Sequence, residues 1–269
     1  MPSCSKIPVQ WWRLVALLLP MAPLGAFACD RAQVEAVLRS AYPEARMADH
    51  HFDLSGGDMS IVVSQVECRP WLARPGLLLL AVPLRAPVTE EVWRGDLEVI
   101  VANADTLAVR ARHRRRGRLD SDAWYFDGLS LDTARYQLTD SLHAFGIRIG
   151  FRGSSRVNPA RETALTLYVL RGDALEPVLQ DLVVRHSWGE WDGQCAGEFG
   201  QVERTVAVAP SGNSAWADLV VSSRAADSVS REEDGECVLT EDKPVVTVER
   251  IGFKDDGYPV MGMGSRFER

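Results

Sequence analysis

From residue 59 onward, apolar side chains alternate with polar ones over short runs, and Gly, Asn, Asp and Pro separate the runs. A period of two is the signature of a strand with one buried face. The pattern predicts strands at 59–68, 76–84, 96–103, 106–113, 125–131, 143–152, 163–171, 178–187, 201–208, 215–222 and 245–253. One stretch has helical spacing instead. Val34, Val37, Leu38 and Ala41 fall on one face, Asp30 and Gln33 stand where a capping box needs them, and Pro43 ends the run.

These elements predict an all-β chain with one short N-terminal helix and antiparallel sheets packed as a β-sandwich. Leu97, Val99, Val101, Asp105 and Leu107 recur 68 residues later as Leu165, Leu167, Val169, Asp173 and Leu175. The repeat suggests two four-stranded units in tandem, 71–140 and 141–222, behind an N-terminal segment of helix and first strands, 29–70. A β-propeller is the competing architecture, but fewer than four full four-stranded units can be counted. Residues 223–244 have few apolar side chains and no period, and include the run Arg231-Glu232-Glu233-Asp234-Gly235-Glu236. They read as an exposed acidic loop ahead of a C-terminal strand, the two together filling 223–269.

The first 28 residues follow a different pattern. Lys6 and Arg13 precede an apolar run from Leu14 to Leu24, which closes on Ala26-Phe27-Ala28. This is the pattern of a secretory signal peptide, whose small-residue end a signal peptidase cleaves. Pro20 and Pro23 interrupt the run, which is also shorter than the roughly 20 apolar residues of a membrane span. Cys29 follows directly, yet Ala26 and the bulky Phe27 suit a lipidation site poorly. The expected location is the bacterial periplasm or the cell exterior, with no transmembrane segment once the signal is removed.

Composition fits that picture. The chain has 269 residues, 46% hydrophobic and 25% charged, which excludes disorder, collagen and coiled coil. Cleavage removes Lys6 and Arg13 and no acids, leaving 28 basic side chains against 37 acidic ones, a net charge of −9. It also removes Cys4 and leaves Cys29, Cys68, Cys195 and Cys237, an even set for an oxidising compartment. Pairing nearest neighbours gives Cys29–Cys68 and Cys195–Cys237, each worth about 4 kcal/mol in the loop-entropy picture. No C-x-x-C spacing supports zinc.

Two clusters stand out as candidate chemistry. Residues 110–118 read Arg-Ala-Arg-His-Arg-Arg-Arg-Gly-Arg, and a continuing strand would project Arg110, Arg112, Arg114, Arg116 and Arg118 from one face, about 6.6 Å apart. Such a comb suits phosphate or sulfate oxygens. The alternative is a charged edge strand, or pairing with acids on a neighbouring strand. The second cluster, Trp188-Gly189-Glu190-Trp191-Asp192-Gly193, reads as a turn bearing two rings for sugar stacking and two carboxylates, Glu190 and Asp192, for hydroxyls or, in a bolder reading, for glycosidase chemistry. The same residues also suit plain packing over a sheet end.

Other chemistry finds little support. His50 and His51 are adjacent, so in a strand they point to opposite faces. There is no G-x-S-x-G elbow, no Gly-rich phosphate loop and no spaced-Asp calcium loop, so no cofactor is expected. The net acidity argues against nucleic acid. The sequence therefore predicts an exported, disulfide-stabilised, non-enzymatic binding protein that recognises an anionic polymer, a glycan or a periplasmic protein. A secreted carbohydrate-active hydrolase using Glu190 and Asp192, or a protein interaction or inhibitor module, is the alternative.

Overall fold

A computed structural model describes residues 28–55, 59–87, 93–121, 123–212, 214–260 and 262–263, so the signal peptide expected over residues 1–28 lies, up to residue 27, outside the described residues. In chain order the elements are α1 (Arg31–Ala41), β1 (Arg46–Ala48), β2 (His51–Asp53), β3 (Ser60–Val62), β4 (Glu67–Pro70), β5 (Leu77–Pro87), β6 (Trp93–Asn103) and β7 (Val109–Arg115). They continue with β8 (Trp124–Gln137), β9 (His143–Gly153), β10 (Ala160–Arg171), β11 (Ala174–Trp191), β12 (Gly197–Ala209), β13 (Asp218–Glu233), β14 (Glu236–Glu241) and β15 (Val245–Ile251). All strand pairs are antiparallel. The first sheet holds β1 to β7 and the second holds β8 to β15, so the two units carry seven and eight strands rather than four each.

The helix forms as its residues dictate. The Asp30 carboxylate accepts the Gln33 backbone N–H at 2.8 Å, and the Gln33 side-chain oxygen accepts the Asp30 N–H at 3.0 Å. These bonds satisfy donors that a helix start leaves open. Val34, Val37, Leu38 and Ala41 are buried against Leu78, Leu80 and Ile100 of the first sheet. Leu79, Leu97, Val99 and Val101, on the opposite face, meet Phe145, Ile147, Ile149 and Tyr168 of the second sheet. A third core lies behind that sheet, where Leu165, Leu167 and Val169 pack with Leu182, Leu219 and Tyr258. The layers are therefore helix, sheet, sheet and a folded-over end of the second sheet.

This layering explains why β5 and β6 are buried on both faces, one of them under a helix and the other between sheets. It also separates the two repeated hairpins. Leu97, Val99 and Val101 fill the space between the sheets, whereas their counterparts Leu165, Leu167 and Val169 fill the third core. The hairpins share a pattern but not a packing environment.

Residues 223–244 are a correction to the sequence reading. They are not a loop: β13 continues to Glu233 and turns back into β14 through Asp234 and Gly235, at φ of 52° and 83°. Positive φ at both central residues is the two-residue hairpin turn that Asp-Gly favours. Alternation failed to reveal this hairpin because every residue of β14 is exposed, and a period of two is written only where one face is buried. Next to it, Val245, Val246 and Val248 of the edge strand β15 are 63–67% exposed, with Lys243 and Pro244 at its start.

Cys29 and Cys68 lie at disulfide distance, with Cα atoms 5.4 Å apart, and so do Cys195 and Cys237 at 5.5 Å. The first pair fastens the start of α1 to β4, and the second fastens the β11–β12 turn to β14. Among the described residues no helix is long and apolar enough to cross a membrane.

Candidate functional site

The arginine-rich run is divided by a turn. β7 ends at Arg115, and Gly117 takes a φ of 64°, which favours glycine. The single row expected for Arg110, Arg112, Arg114, Arg116 and Arg118 therefore stops short. Arg118 swings inward and is only 6% exposed, while Arg116 stays on the surface. Arg112 and Arg114 pair with the buried carboxylates Glu98 and Asp96 on neighbouring β6, the latter at 2.7 Å. Arg112 also donates to the Ala41 carbonyl at 2.8 Å, and the Tyr42 hydroxyl donates to Glu98. Burial, and then the Glu98 carboxylate, push that hydroxyl well above its ordinary pKa, so it stays a donor. Arg110 meets Asp173 at 3.2 Å, where both are open to solvent.

Arg115 and Arg118 serve the opposite face. Both converge between the sheets on Asp181, which is 1% exposed and occupies the left-handed region at φ 52° in β11. Arg115 donates to Oδ1 at 2.9 Å and Arg118 Nε donates to the same oxygen at 3.0 Å, while Thr166 donates at 3.2 Å. Burial alone would raise the Asp181 carboxyl. The hydrogen bonds and charges of the two arginines outweigh it and hold the group below the usual range. Most of the comb thus joins α1 to the first sheet and the first sheet to the second.

The tryptophan cluster is strand rather than turn, since β11 runs through Trp191. Trp188 and Trp191 are three residues apart, so they leave opposite faces and do not form one platform. Trp188 is 43% exposed, stacks on His186 at 5.3 Å between ring centroids, and lies over Gly200, where a Cβ would strike the indole. Phe199 covers Gly189 in the same way on the other face. Glu190 is exposed opposite Glu198. The turn begins at Asp192, whose carboxylate accepts the backbone N–H groups of Gln194 at 2.8 Å and Cys195 at 2.9 Å. These bonds lower its pKa, so it remains an ionised turn-former and a poor proton donor.

The second sheet contains a cleft that no sequence motif marked. Its register places Arg152 opposite Arg161, Arg161 opposite Ser187, Ser187 opposite Gln201 and Gln201 opposite Ala226. Residues opposite one another in an antiparallel ladder share a face, so these side chains form one row across β9 to β13. Phe199 and Ser228 follow on that face, and the row lines a cleft of about 470 Å³, which Trp188 borders. Arg152 and Arg161 approach the single carboxylate of Asp127 at 3.5 and 3.0 Å, and Arg152 also lies over the Tyr125 ring at 5.5 Å.

A second cleft of about 500 Å³ continues over the next row, where Thr163, Arg185 and Glu203 stand in register and Arg185 pairs with Glu203 at 3.2 Å. These arginines are scattered through the sequence, and only strand pairing assembles them. Among the described residues no group of three or more His, Cys, Asp or Glu side chains could hold a metal. No known protein family, curated protein or solved structure matches the chain.

Proposed function

We propose that the chain is an exported, disulfide-stabilised, non-enzymatic binding protein of the bacterial periplasm or cell surface, and that it recognises an anionic or sugar-bearing envelope component in the cleft over β9 to β13. One observation carries this reading. The cleft has the size of a ligand site and gathers guanidinium, hydroxyl, amide and aromatic groups on one face. The signal-like first 28 residues and the two cysteine pairs support export. The hydrolase alternative gains nothing from the geometry, because Asp192 is occupied by its own turn.

Saturation-transfer NMR on the oxidised protein, with a panel of neutral and acidic oligosaccharides, tests the proposal. Binding without cleavage products, lost on Gln201→Ala together with Ser187→Ala, is expected. A panel that fails to bind, or that is hydrolysed, overturns it.

A further inference from the structure

Building on that reading, we infer that the ligand is a linear acidic glycan lying across the strands, with one acid group seated between Arg152 and Arg161. Direction comes from the sheet. Arg152, Arg161, Ser187 and Gln201 occupy successive strands in register, and neighbouring strands are about 4.8 Å apart. The row is therefore a straight line of polar groups at a step comparable to one ring of an extended glycan, perpendicular to β10. A chain laid along a single strand would meet matching side chains only at every second residue.

Charge sets the ligand class. Arg152 and Arg161 share one carboxylate, Asp127, so the pair carries a surplus positive charge in a protein that is acidic overall. A carboxylate, sulfate or phosphate ester on the ligand completes that pairing with charge-assisted hydrogen bonds. Arg156, on the loop at the cleft rim, is offset by the carboxylates of Asp227 and Glu241 at the β13–β14 end of the cleft, so the surplus is local to Arg152 and Arg161. The other half of the row is uncharged. Ser187 and Gln201 present a hydroxyl and an amide suited to sugar hydroxyls, and Phe199 brings an aromatic ring to the same cleft. A polyanion without hydroxyls, such as polyphosphate, would leave these groups unused, whereas an acidic glycan offers hydroxyls beside each acid group. The next row is balanced, since Arg185 already has Glu203.

Calorimetric titration of the oxidised protein tests the inference with four probes: oligogalacturonate, the same oligomer with its carboxyls methyl-esterified, a chondroitin sulfate oligosaccharide, and a neutral oligosaccharide of equal length. At least one acidic oligomer binds, and the ester binds more than about tenfold more weakly, the factor that one hydrogen bond to a charged group supplies. Arg161→Gln weakens the acidic oligomer by a similar factor and leaves the ester unchanged. Arg152 remains beside Asp127, so the thermal midpoint of this variant matches the parent. Equal affinity for acid and ester, or an acid affinity indifferent to Arg161→Gln, overturns the acidic class while the binding function stands. Failure of all four probes to bind overturns both.

Discussion

The two groups of arginines in this protein differ in what faces them. Along β7 and the turn after it, Arg112, Arg114, Arg115 and Arg118 meet Glu98, Asp96 and Asp181, carboxylates removed from water. Across β9 and β10, Arg152 and Arg161 share one partly exposed Asp127. The dense run holds the fold together, and the sparse pair is the one with charge to spare. Local density of like charge along a chain is therefore a poor guide to a binding surface. The number and burial of the opposing carboxylates decide, and those belong to the register of neighbouring strands.

Asp181→Ala should break the comparison most severely. It strands two guanidinium groups between the sheets, and removing one partner of a buried ion pair costs about 3–5 kcal/mol. Calorimetric unfolding should show this loss. The same cluster predicts acid sensitivity. The carboxyl is held below its ordinary value of 3.8, so its contribution is complete above that value and disappears as pH falls through the lower folded value. Acid titration by circular dichroism should thus show the parent losing stability below about pH 4, and a variant with Asp181 replaced by Asn losing less over that range.

His113 adds a smaller dependence. Burial, and then Arg115, hold its pKa below 6.5, so the folded state binds fewer protons and stability rises as pH climbs through that region. Urea midpoints at pH 5.5 and 7.5 should differ in that direction for the parent and not for His113→Gln. Gly200→Ala, which forces Trp188 from its seat, should cost about 1–3 kcal/mol and change tryptophan emission. Arg161→Gln should have the smallest effect, with stability within about 0.5 kcal/mol of the parent, because the pair it breaks is open to solvent.

What the chain discloses in advance follows from local physics. The capping box of Asp30 and Gln33, the apolar face of α1, the apolar runs of β5 and β6, the alternation of later strands and the two cysteine pairs are short-range or parity signals, and the structure contains them. In the β13–β14 hairpin every residue of β14 is exposed, so that strand writes no hydrophobic period, although Asp234-Gly235 names its turn. The inward path of Arg118 depends on Gly117 and on a carboxylate 63 residues away. The cleft is harder still, because Arg152, Arg161, Ser187 and Gln201 lie on four strands whose register is set by packing between sheets. No window of sequence contains it.

The division of labour between the two arginine groups is tested most directly by urea denaturation of two double variants, Arg112→Gln with Arg114→Gln and Arg152→Gln with Arg161→Gln. The first uncovers the buried carboxylates of Glu98 and Asp96 and should lower the midpoint by about 1 M, a loss of roughly 2 kcal/mol. The second should unfold with the parent. A first variant as stable as the parent, or a second that loses more, would contradict the account and return the arginine-rich strand to the list of binding surfaces.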